Sequence, residues 1–444
     1  MHDDLRAAVA ADMPRLKEML ADLVRLPSVS APGHDQEHVR DAAKRIVAIL
    51  ENSGFHNSQL LEVDGGNPAV FGEVPAPDGA PTVLLYAHYD VQPSGPVSEW
   101  RNDPFTPIEQ EGRLYGRGSA DDKSGVVMHL GAVAAFAGQL PVGVQIFFEG
   151  EEEAGSASLE GILEKYSDLL KPDVIVIGDG GMWEVDVPAF LTSLRGIVAT
   201  TIELRTLKAA VHSGEYGGVF PDALTAMARL LATLHDDDGN VAIPGLVSEE
   251  PDGPTIPEAR ARALIGVVDG VEEIGTGSLA SRLWTSPSVS VLAIDAPPVS
   301  EAINQLVPVT RAKVSLRVAP HQDTTAALAT LKEHLTANAP WGTTVEFLHE
   351  EAGHGSVIDV GSQAAEAWRT GFREAYGTEP VEMGAGGSIP FIDTFAALYP
   401  GSPILVIGCA DHSSAYHAPN ESVDLGVVEK STFAEAIALR VLGG

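Results

Sequence analysis

The stretch "TVLLYAHYD" (residues 82–90) is nearly all apolar before its polar end. Such a run is typical of a strand that is buried on both faces of a sheet. Similar stretches follow, separated by helical segments: "GVQIFFEG" (143–150), "DVIVIGDG" (173–180) and "SPILVIGC" (402–409). Because apolar strands alternate with helices, the sequence predicts an α/β domain with helices on both faces of its sheet.

The pattern of apolar residues changes near residue 196. The segments "VATTIELRT" (198–206) and "AKVSLRVAP" (312–320) alternate apolar and polar residues, as strands with one exposed face do. The elements predicted here have the order βαββαβ, which is the ferredoxin-like arrangement. In chain order they are strand 197–206, helix 221–235, strand 287–294, strand 310–319, helix 323–338 and strand 343–349.

Strands predicted to be buried on both faces return after residue 353, where a helix predicted at 362–376 precedes the strand "SPILVIGC". The sequence therefore predicts a three-layer α/β/α domain made of residues 1–195 and 354–444. A smaller α+β domain, residues 196–353, interrupts it. A chain of 444 residues is long enough for two hydrophobic cores.

The chain is strongly acidic, with 62 Asp and Glu against 28 Lys and Arg and a formal net charge of −34. Nucleic acids and anionic membranes bind basic surfaces, so neither is an expected partner. The single cysteine, Cys409, excludes an intrachain disulfide and a cysteine-based zinc cluster. No apolar run approaches the roughly 18 residues of a membrane span, and no apolar signal core precedes residue 25. A cytoplasmic location is therefore expected.

Acids and histidines collect where the predicted strands end. In open α/β sheets, ligands bind outside the carboxyl ends of the strands. Carboxylates that gather there would repel each other unless a cation lay among them, and carboxylate with imidazole suits zinc, with cobalt or manganese possible. The residues concerned are His88, Asp90, Asp121, Asp122, the run Glu151, Glu152 and Glu153, Asp179, His412 and His417.

Each of these residues has a simpler interpretation when it is taken alone. An acid at the end of a strand is usually a helix cap or a surface charge, and Asp121 precedes a predicted helix. His88 lies in an apolar strand, where a hydrogen-bonded core histidine is an alternative. The ordered series of strand-end clusters, rather than any single motif, favours a metal centre.

Seven motifs resemble, in the same order along the chain, a family of co-catalytic zinc amidohydrolases. The motifs are "LYAHYDVQP", "GRGSADDKSG", "FEGEEEAGS", "IGDGGMW", "VHSGEYGG", "GGSIPF" and "HAPNES". The family includes carnosinase-like cytosolic dipeptidases, aminoacylases, succinyl-diaminopimelate desuccinylase and glutamate carboxypeptidases. The resemblance is strongest to the dipeptidase-like branch. It implies a dizinc-peptidase catalytic domain, an inserted lid and dimerisation domain, and a homodimer formed through that lid.

The resemblance also implies two divalent metal ions, expected to be zinc, with manganese or cobalt as alternatives. Asp121 is similar to the carboxylate that bridges both ions. The implied ligand set is His88, Asp121, Glu153, Asp179 and His417. His88 and Asp179 match ligands of the first ion, and Glu153 and His417 match ligands of the second.

The catalytic roles follow from the same resemblance. Glu152 matches the general base, which takes a proton from the water held between the two ions and then passes it to the leaving amine. Asp90 matches the acid that orients His88 and fixes its tautomer. His212, in "VHSGEYGG", matches a lid histidine that in dimeric members reaches the active site of the neighbouring subunit. Glu151 has no implied role.

Three further residues match the part of the family site that binds the substrate carboxylate. Arg317, in "SLRVAP", is similar to the lid arginine, although an exposed arginine on a sheet is usually only solvated. Gly387 and Ser388, in "GAGGSIPF", resemble the glycine-serine loop, although this sequence can also be a simple turn. Carnosinase-like members often carry an arginine and an acid where this chain has Gly384 and Ala385.

The expected function is metal-dependent hydrolysis of the amide bond of dipeptides or small peptides. Deacylation of N-acyl amino acids is the alternative within the family. A metal-binding or regulatory protein without catalysis is the alternative of another class, and the intact Glu152–Glu153 pair argues against it. A nucleotide-binding protein is discounted because neither GxGxxG nor GxxxxGK[ST] joins a strand to a helix.

Overall fold

The computed structural model describes residues 2–387 and 390–444 of the chain. They group into two compact units. The larger unit consists of Met1–Thr192, Ile358–Met383 and Phe391–Gly444, and the smaller unit consists of Ser193–Val357 and Gly384–Pro390.

The segment 384–390 groups with the smaller unit, whereas the predicted boundaries place all of 354–444 in the larger domain. The reason is local packing within the smaller unit. A Cβ on Gly384 would lie 2.7 Å from the Cβ of Trp284, and one on Gly386 would lie 2.7 Å from Nη2 of Arg195. These close approaches depend on glycine, and the sequence pattern does not reveal their partners.

The larger unit contains a mixed six-stranded sheet. Its two edge strands at one side pair antiparallel, and its last four strands are parallel to one another. In spatial order the strands are His56–Leu61, Ala69–Val74, Gly143–Glu149, Thr82–His88, Val174–Ile177 and Ile404–Val406. Because the last four are parallel, their carboxyl ends meet at one edge of the sheet, as the strand-end residues predict.

Helices complete the larger unit. They are Asp3–Val24, Glu37–Asn52, Lys123–Ala134, Leu159–Lys165, Gln363–Tyr376, Pro390–Leu398 and Leu425–Gly443. Lys123–Ala134 is almost entirely buried, as its apolar sequence predicts, and its N-terminus is capped by Asp122, which accepts a hydrogen bond from the N–H of Gly125 at 3.2 Å. A Cβ on Gly131 would lie 2.7 Å from Leu16, so this glycine permits close contact with the first helix.

Short elements surround this framework. A three-stranded sheet is formed by Ser422–Asp424, Arg113–Tyr115 and Ile108–Gln110. A second three-stranded sheet, at the points in the chain where the units divide, is formed by Ser356–Val357, Ala189–Leu194 and Val381–Ala385. Among the described residues, the 3₁₀ helices of the larger unit are Val97–Glu99 and Glu152–Ala154, and those of the smaller unit are Val299–Glu301 and Pro340–Gly342. No helix of the described residues is long and apolar enough to span a bilayer.

The smaller unit has a four-stranded antiparallel sheet in the spatial order Ser288–Ile294, Val309–Val318, Gly196–Arg205 and Val345–Gly353. The main helices, Ala223–Ala232 and Thr324–Ala337, contribute Leu230 and Leu331 to one core with the sheet residues Ile202 and Leu316. This order confirms the ferredoxin-like prediction.

The smaller unit also contains elements that the sequence pattern did not indicate. They are the helices Ser213–Tyr216, Glu258–Ile265 and Leu279–Trp284 and the two-stranded pair of Val211–His212 with Gln305–Leu306. They lie in connections between the main elements. These segments are too short to show a clear periodicity in the sequence.

Candidate metal centre

Asp121 lies between two histidines that come from distant parts of the chain. Its Oδ1 is 3.0 Å from Nε2 of His88, which ends the strand Thr82–His88. Its Oδ2 is 2.9 Å from Nε2 of His417. One carboxylate therefore faces two imidazoles, each through a different oxygen, which is the geometry expected of a ligand shared between two ions.

The remaining acids lie on either side of Asp121. Oδ1 of Asp179 is 3.8 Å from Nε2 of His88, and Oε2 of Glu153 is 3.2 Å from Nε2 of His417. Asp179 follows the strand Val174–Ile177, and Glu153 lies in the 3₁₀ helix Glu152–Ala154 after the strand Gly143–Glu149. The structure thus brings all five sequence-predicted ligands together at the carboxyl edge of the sheet.

Two sets of ligand atoms within this cluster lie close enough to hold an ion. His88, Asp121 and Glu153 form one set, and His88, Glu152 and Asp179 form the other; within each, the atoms lie within 4.8 Å of one another. Imidazole nitrogens and carboxylate oxygens without thiolate are a donor set that Zn²⁺ accepts. The residues therefore fit divalent metal ions.

The electrostatics of the cluster also point to cations. Burial raises the pKa of Asp179 and of Glu152 well above their ordinary values, and neighbouring carboxylates add to the rise. Hydrogen bonds to Asp121 and Glu153 raise the pKa of His417 to about 10. Without metal ions, the cluster would hold protons to relieve the repulsion between its carboxylates.

Asp90 is fully buried and connects two parts of the site. Its carboxylate accepts hydrogen bonds from the N–H groups of Glu152 at 3.2 Å and Glu153 at 3.0 Å. Its Oδ1 is 3.5 Å from Nδ1 of His88, and its backbone oxygen is 3.1 Å from the same nitrogen. This geometry fits the orienting role that the sequence suggests, because His88 can donate from Nδ1 and leave Nε2 free for an ion.

Glu151, to which the sequence assigns no role, has a structural one. Its Oε2 accepts hydrogen bonds from the N–H of Ser158 at 3.1 Å and from the hydroxyl of Ser158. These hydrogen bonds hold the turn that follows the 3₁₀ helix Glu152–Ala154.

The residues predicted for the lid lie in the smaller unit. His212 is exposed, and its Nδ1 accepts a hydrogen bond from the N–H of Gly214 at 3.1 Å. This bond does not involve the second ring nitrogen, Nε2. Arg317 lies on Val309–Val318 between Ser288 and Ile197, and burial lowers the pKa of its guanidinium. Gly387 has nothing within 4 Å of the position that a Cβ would occupy. Ser388 lies outside the described residues.

Two residues that the sequence did not identify support these groups. Gln92 donates from Nε2 to Oε2 of Glu153 at 2.7 Å, and it lies in the quoted motif "LYAHYDVQP". Arg195 is buried; its Nη1 donates to Ser288 Oγ at 2.9 Å, and burial together with the charge of Arg317 lowers its pKa to about 10. The sequence "SLRG" gives no signal that distinguishes Arg195 from a surface arginine.

A cluster of candidate metal ligands at the carboxyl edge of an α/β sheet, together with a ferredoxin-like insertion, is typical of a metallopeptidase. The chain belongs to peptidase family M20/M25/M40, whose family model matches residues 84–439. It is 34% identical over 437 residues to the cysteinylglycine-S-conjugate dipeptidase of Corynebacterium striatum, covering 97% of this chain and 96% of that protein.

A further relative and a solved structure are similar to this chain over most of its length. The chain is 27% identical to the human Beta-Ala-His dipeptidase over 93% of its own length and 83% of that protein. The solved structure of the dipeptidase Dug1p from Saccharomyces cerevisiae has the same fold, with a TM-score of 0.83 at 23% identity, covering 99% of this chain and 98% of that one.

Proposed function

We propose that this protein is a dizinc dipeptidase. The observation that carries the proposal is Asp121, whose two carboxylate oxygens face His88 and His417 separately, with Glu152 and Glu153 beside them. Manganese and cobalt are the alternative metals. We also propose that the protein acts in the cytoplasm, as its sequence suggests, and that its net charge of −34 keeps nucleic acids and anionic membranes from binding.

The proposed ligands divide into two groups around Asp121. His88 and Asp179 would hold one ion, and Glu153 and His417 would hold the other. Asp121 would bind both ions. Two divalent ions held together lower the pKa of bound water towards 7 and polarise the substrate carbonyl.

The remaining chemistry belongs to side chains of the chain itself. Glu152 removes a proton from the attacking water and passes it to the leaving amine nitrogen. Asp90 holds His88 in the tautomer that presents Nε2 to the ion. His212 donates a hydrogen bond to the oxygen on which negative charge develops.

The substrate carboxylate is proposed to bind to the smaller unit. Arg317 and the open backbone at Gly387 are the predicted contacts, and the buried Arg195 adds positive charge beside Arg317. The relatives whose names specify dipeptides support a dipeptide with a free carboxylate. An N-acyl amino acid is the second candidate. An acid that could pair with the free amino group of a dipeptide is absent at these positions, where the chain has Gly384 and Ala385.

A substrate panel tests this function directly. Protein loaded with zinc, manganese or cobalt is expected to cleave dipeptides with a free carboxylate about 10²-fold faster, in kcat/KM, than their C-terminal amides, because an amide cannot accept the charge-assisted hydrogen bond that Arg317 would donate to a carboxylate, and such a bond contributes roughly 1.5–3 kcal/mol. Arg317→Met is expected to remove most of this preference. N-acyl amino acids, measured in parallel, test the second candidate.

A matched control is Arg311→Met, which lies on the same strand. Arg311 pairs with Glu203, Nε to Oε2 at 2.9 Å, and is about half exposed. Its loss should leave the preference for a free carboxylate unchanged. A protein that binds metal in stoichiometric amounts but cleaves no member of the panel would instead be the metal-binding protein without catalysis.

We further propose that the protein is a homodimer formed through the smaller unit. The strand Ser288–Ile294 lies at an edge of its sheet and exposes Val291, Leu292 and Ile294. An exposed apolar edge strand is a template for pairing with a second chain. Sedimentation of the purified protein measures the oligomeric state.

His212→Ala is expected to lower kcat by about 10²–10³-fold, the typical effect of removing one oxyanion donor. The bound metal should remain, because His212 is not among the proposed ligands; loss of zinc from this variant would contradict the assignment. Metal content and kcat are measured on the same sample. Mixing this variant with Glu152→Gln tests whether His212 acts across subunits, since only that arrangement restores activity in a mixed dimer.

A further inference from the structure

Glu421 is a fully buried carboxylate that holds the loop leading to Asp121. Its Oε1 accepts hydrogen bonds from the N–H groups of Ala120 at 3.0 Å and Asp121 at 3.1 Å. Its Oε2 accepts from the N–H of Gly118 at 2.9 Å and from Nη1 of Arg117 at 2.7 Å. Four donors on one side chain define the path of the backbone up to Asp121.

The backbone of Glu421 continues this attachment. Its carbonyl oxygen accepts a hydrogen bond from the N–H of Gly116 at 2.9 Å, and Glu421 follows His417 by four residues in the motif "HAPNES". Asp121 and His417 are distant in sequence, and their side chains meet at 2.9 Å. Glu421 therefore connects the two chain segments that carry these proposed ligands.

The charge of Glu421 is balanced by Arg117, which is also buried. A buried carboxylate is costly unless it is paired and its oxygens are hydrogen-bonded, and here both conditions are met. A neutral amide at this position could not serve all four donors, because its NH₂ group would face N–H groups of the loop. The arrangement thus requires a carboxylate, which bonds to Arg117 and to the backbone that leads to Asp121.

We propose that Glu421 is a positioning residue, which fixes Asp121 relative to His417 so that the two oxygens of Asp121 face two separate ion positions. The inference rests on the proposed metal centre. It also assigns a role to Arg117, whose Nη1 donates to Oε2 of Glu421 and holds this side chain against the loop.

The test compares Glu421→Gln with Glu435→Gln. Glu435 is equally buried and pairs with Nδ1 of His129 at 2.9 Å, but among the described residues it contacts no proposed ligand. Metal-free protein is titrated with Zn²⁺ against a competing chelator. Glu421→Gln is expected to weaken zinc affinity by about 10–100-fold, the usual effect of losing a partner of a ligand, whereas Glu435→Gln keeps the wild-type affinity.

Further measurements separate positioning from general destabilisation. The absorption spectrum of bound Co²⁺ should change in Glu421→Gln and not in Glu435→Gln, and kcat should recover at saturating zinc while KM stays unchanged. Unchanged zinc affinity in Glu421→Gln, or equal weakening in both variants, overturns the inference. If Glu421→Gln does not fold, as judged by circular dichroism, Glu421→Asp is measured against the same criteria. A wild-type protein that binds no zinc refutes the proposed metal centre instead.

Discussion

Glu152→Gln is expected to lower kcat by roughly 10²–10⁴-fold or more while leaving the bound metal in place. The amide has nearly the same size as the carboxylate but cannot take a proton from water. In the metal-free cluster, burial raises the pKa of Glu152 well above its ordinary value, and perturbed carboxyl groups of this kind are common at functional sites. The measurements are kcat under saturating substrate and metal content by elemental analysis.

The geometry of the cluster makes this experiment informative. The ligand atoms of Glu152, His88 and Asp179 lie within 4.8 Å of one another, so the main alternative to the general-base role is that Glu152 is a metal ligand. Loss of an ion from Glu152→Gln would favour the role as a metal ligand. Activity near the wild-type level would exclude both the general-base role and the ligand role. Glu151→Gln is the matched control, because Glu151 bonds to Ser158 and should change kcat by no more than about threefold, the scale of a surface substitution.

The folding pattern could be predicted from the sequence wherever hydrophobic periodicity is strong. The strand Thr82–His88 is fully buried along nearly its whole length, which explains why its sequence shows no alternation. In the smaller unit, Val314 and Leu316 lie in the core while Arg317 is only half-buried, as the alternation along that strand predicts. Periodicity of this kind reflects which side chains are buried. Burial therefore identifies most of the strands in the two sheets.

The site could be predicted only in part from physical reasoning. Strand ends place Asp179 and Glu153 at the same edge of the sheet, because the carboxyl ends of parallel strands meet there. That Asp121 lies between His88 and His417 does not follow from spacing along the chain, and only the resemblance to a family suggested it. The support from Glu421 and Arg195 was missed because hydrogen bonds between distant residues leave no periodic signal.

The segment 384–390 shows the same limit for domain boundaries. Its position in the smaller unit depends on contacts of single glycines with Trp284 and Arg195. Hydrophobic patterns report how much of a segment is buried but not against which partner. Boundaries that depend on a few close contacts are therefore less predictable than the sheets themselves.

Removal of the divalent ions is expected to abolish activity and to lower the Tm by roughly 10 °C. Ions present at about a thousand times their Kd stabilise the folded state by about 4 kcal/mol, and each kcal/mol corresponds to about 2–4 °C in a domain of this size. The chelated protein, freed of chelator, is compared with the same sample after addition of Zn²⁺. An unchanged Tm together with full activity, in protein shown to be free of metal, would refute the proposed centre.

The pH dependence of metal binding follows from the same cluster. In the metal-free site the pKa of His417 is raised to about 10, so the imidazole is protonated at pH 7 and must lose its proton before Nε2 can bind an ion. The raised pKa of Asp179 has the same consequence, since its carboxylate binds an ion only when ionised. Binding should therefore release protons, and the apparent affinity should rise with pH between about 6 and 8. Calorimetry in two buffers of different ionisation enthalpy, at one pH, measures the number of protons released; a value of zero would mean that these side chains do not exchange protons for metal.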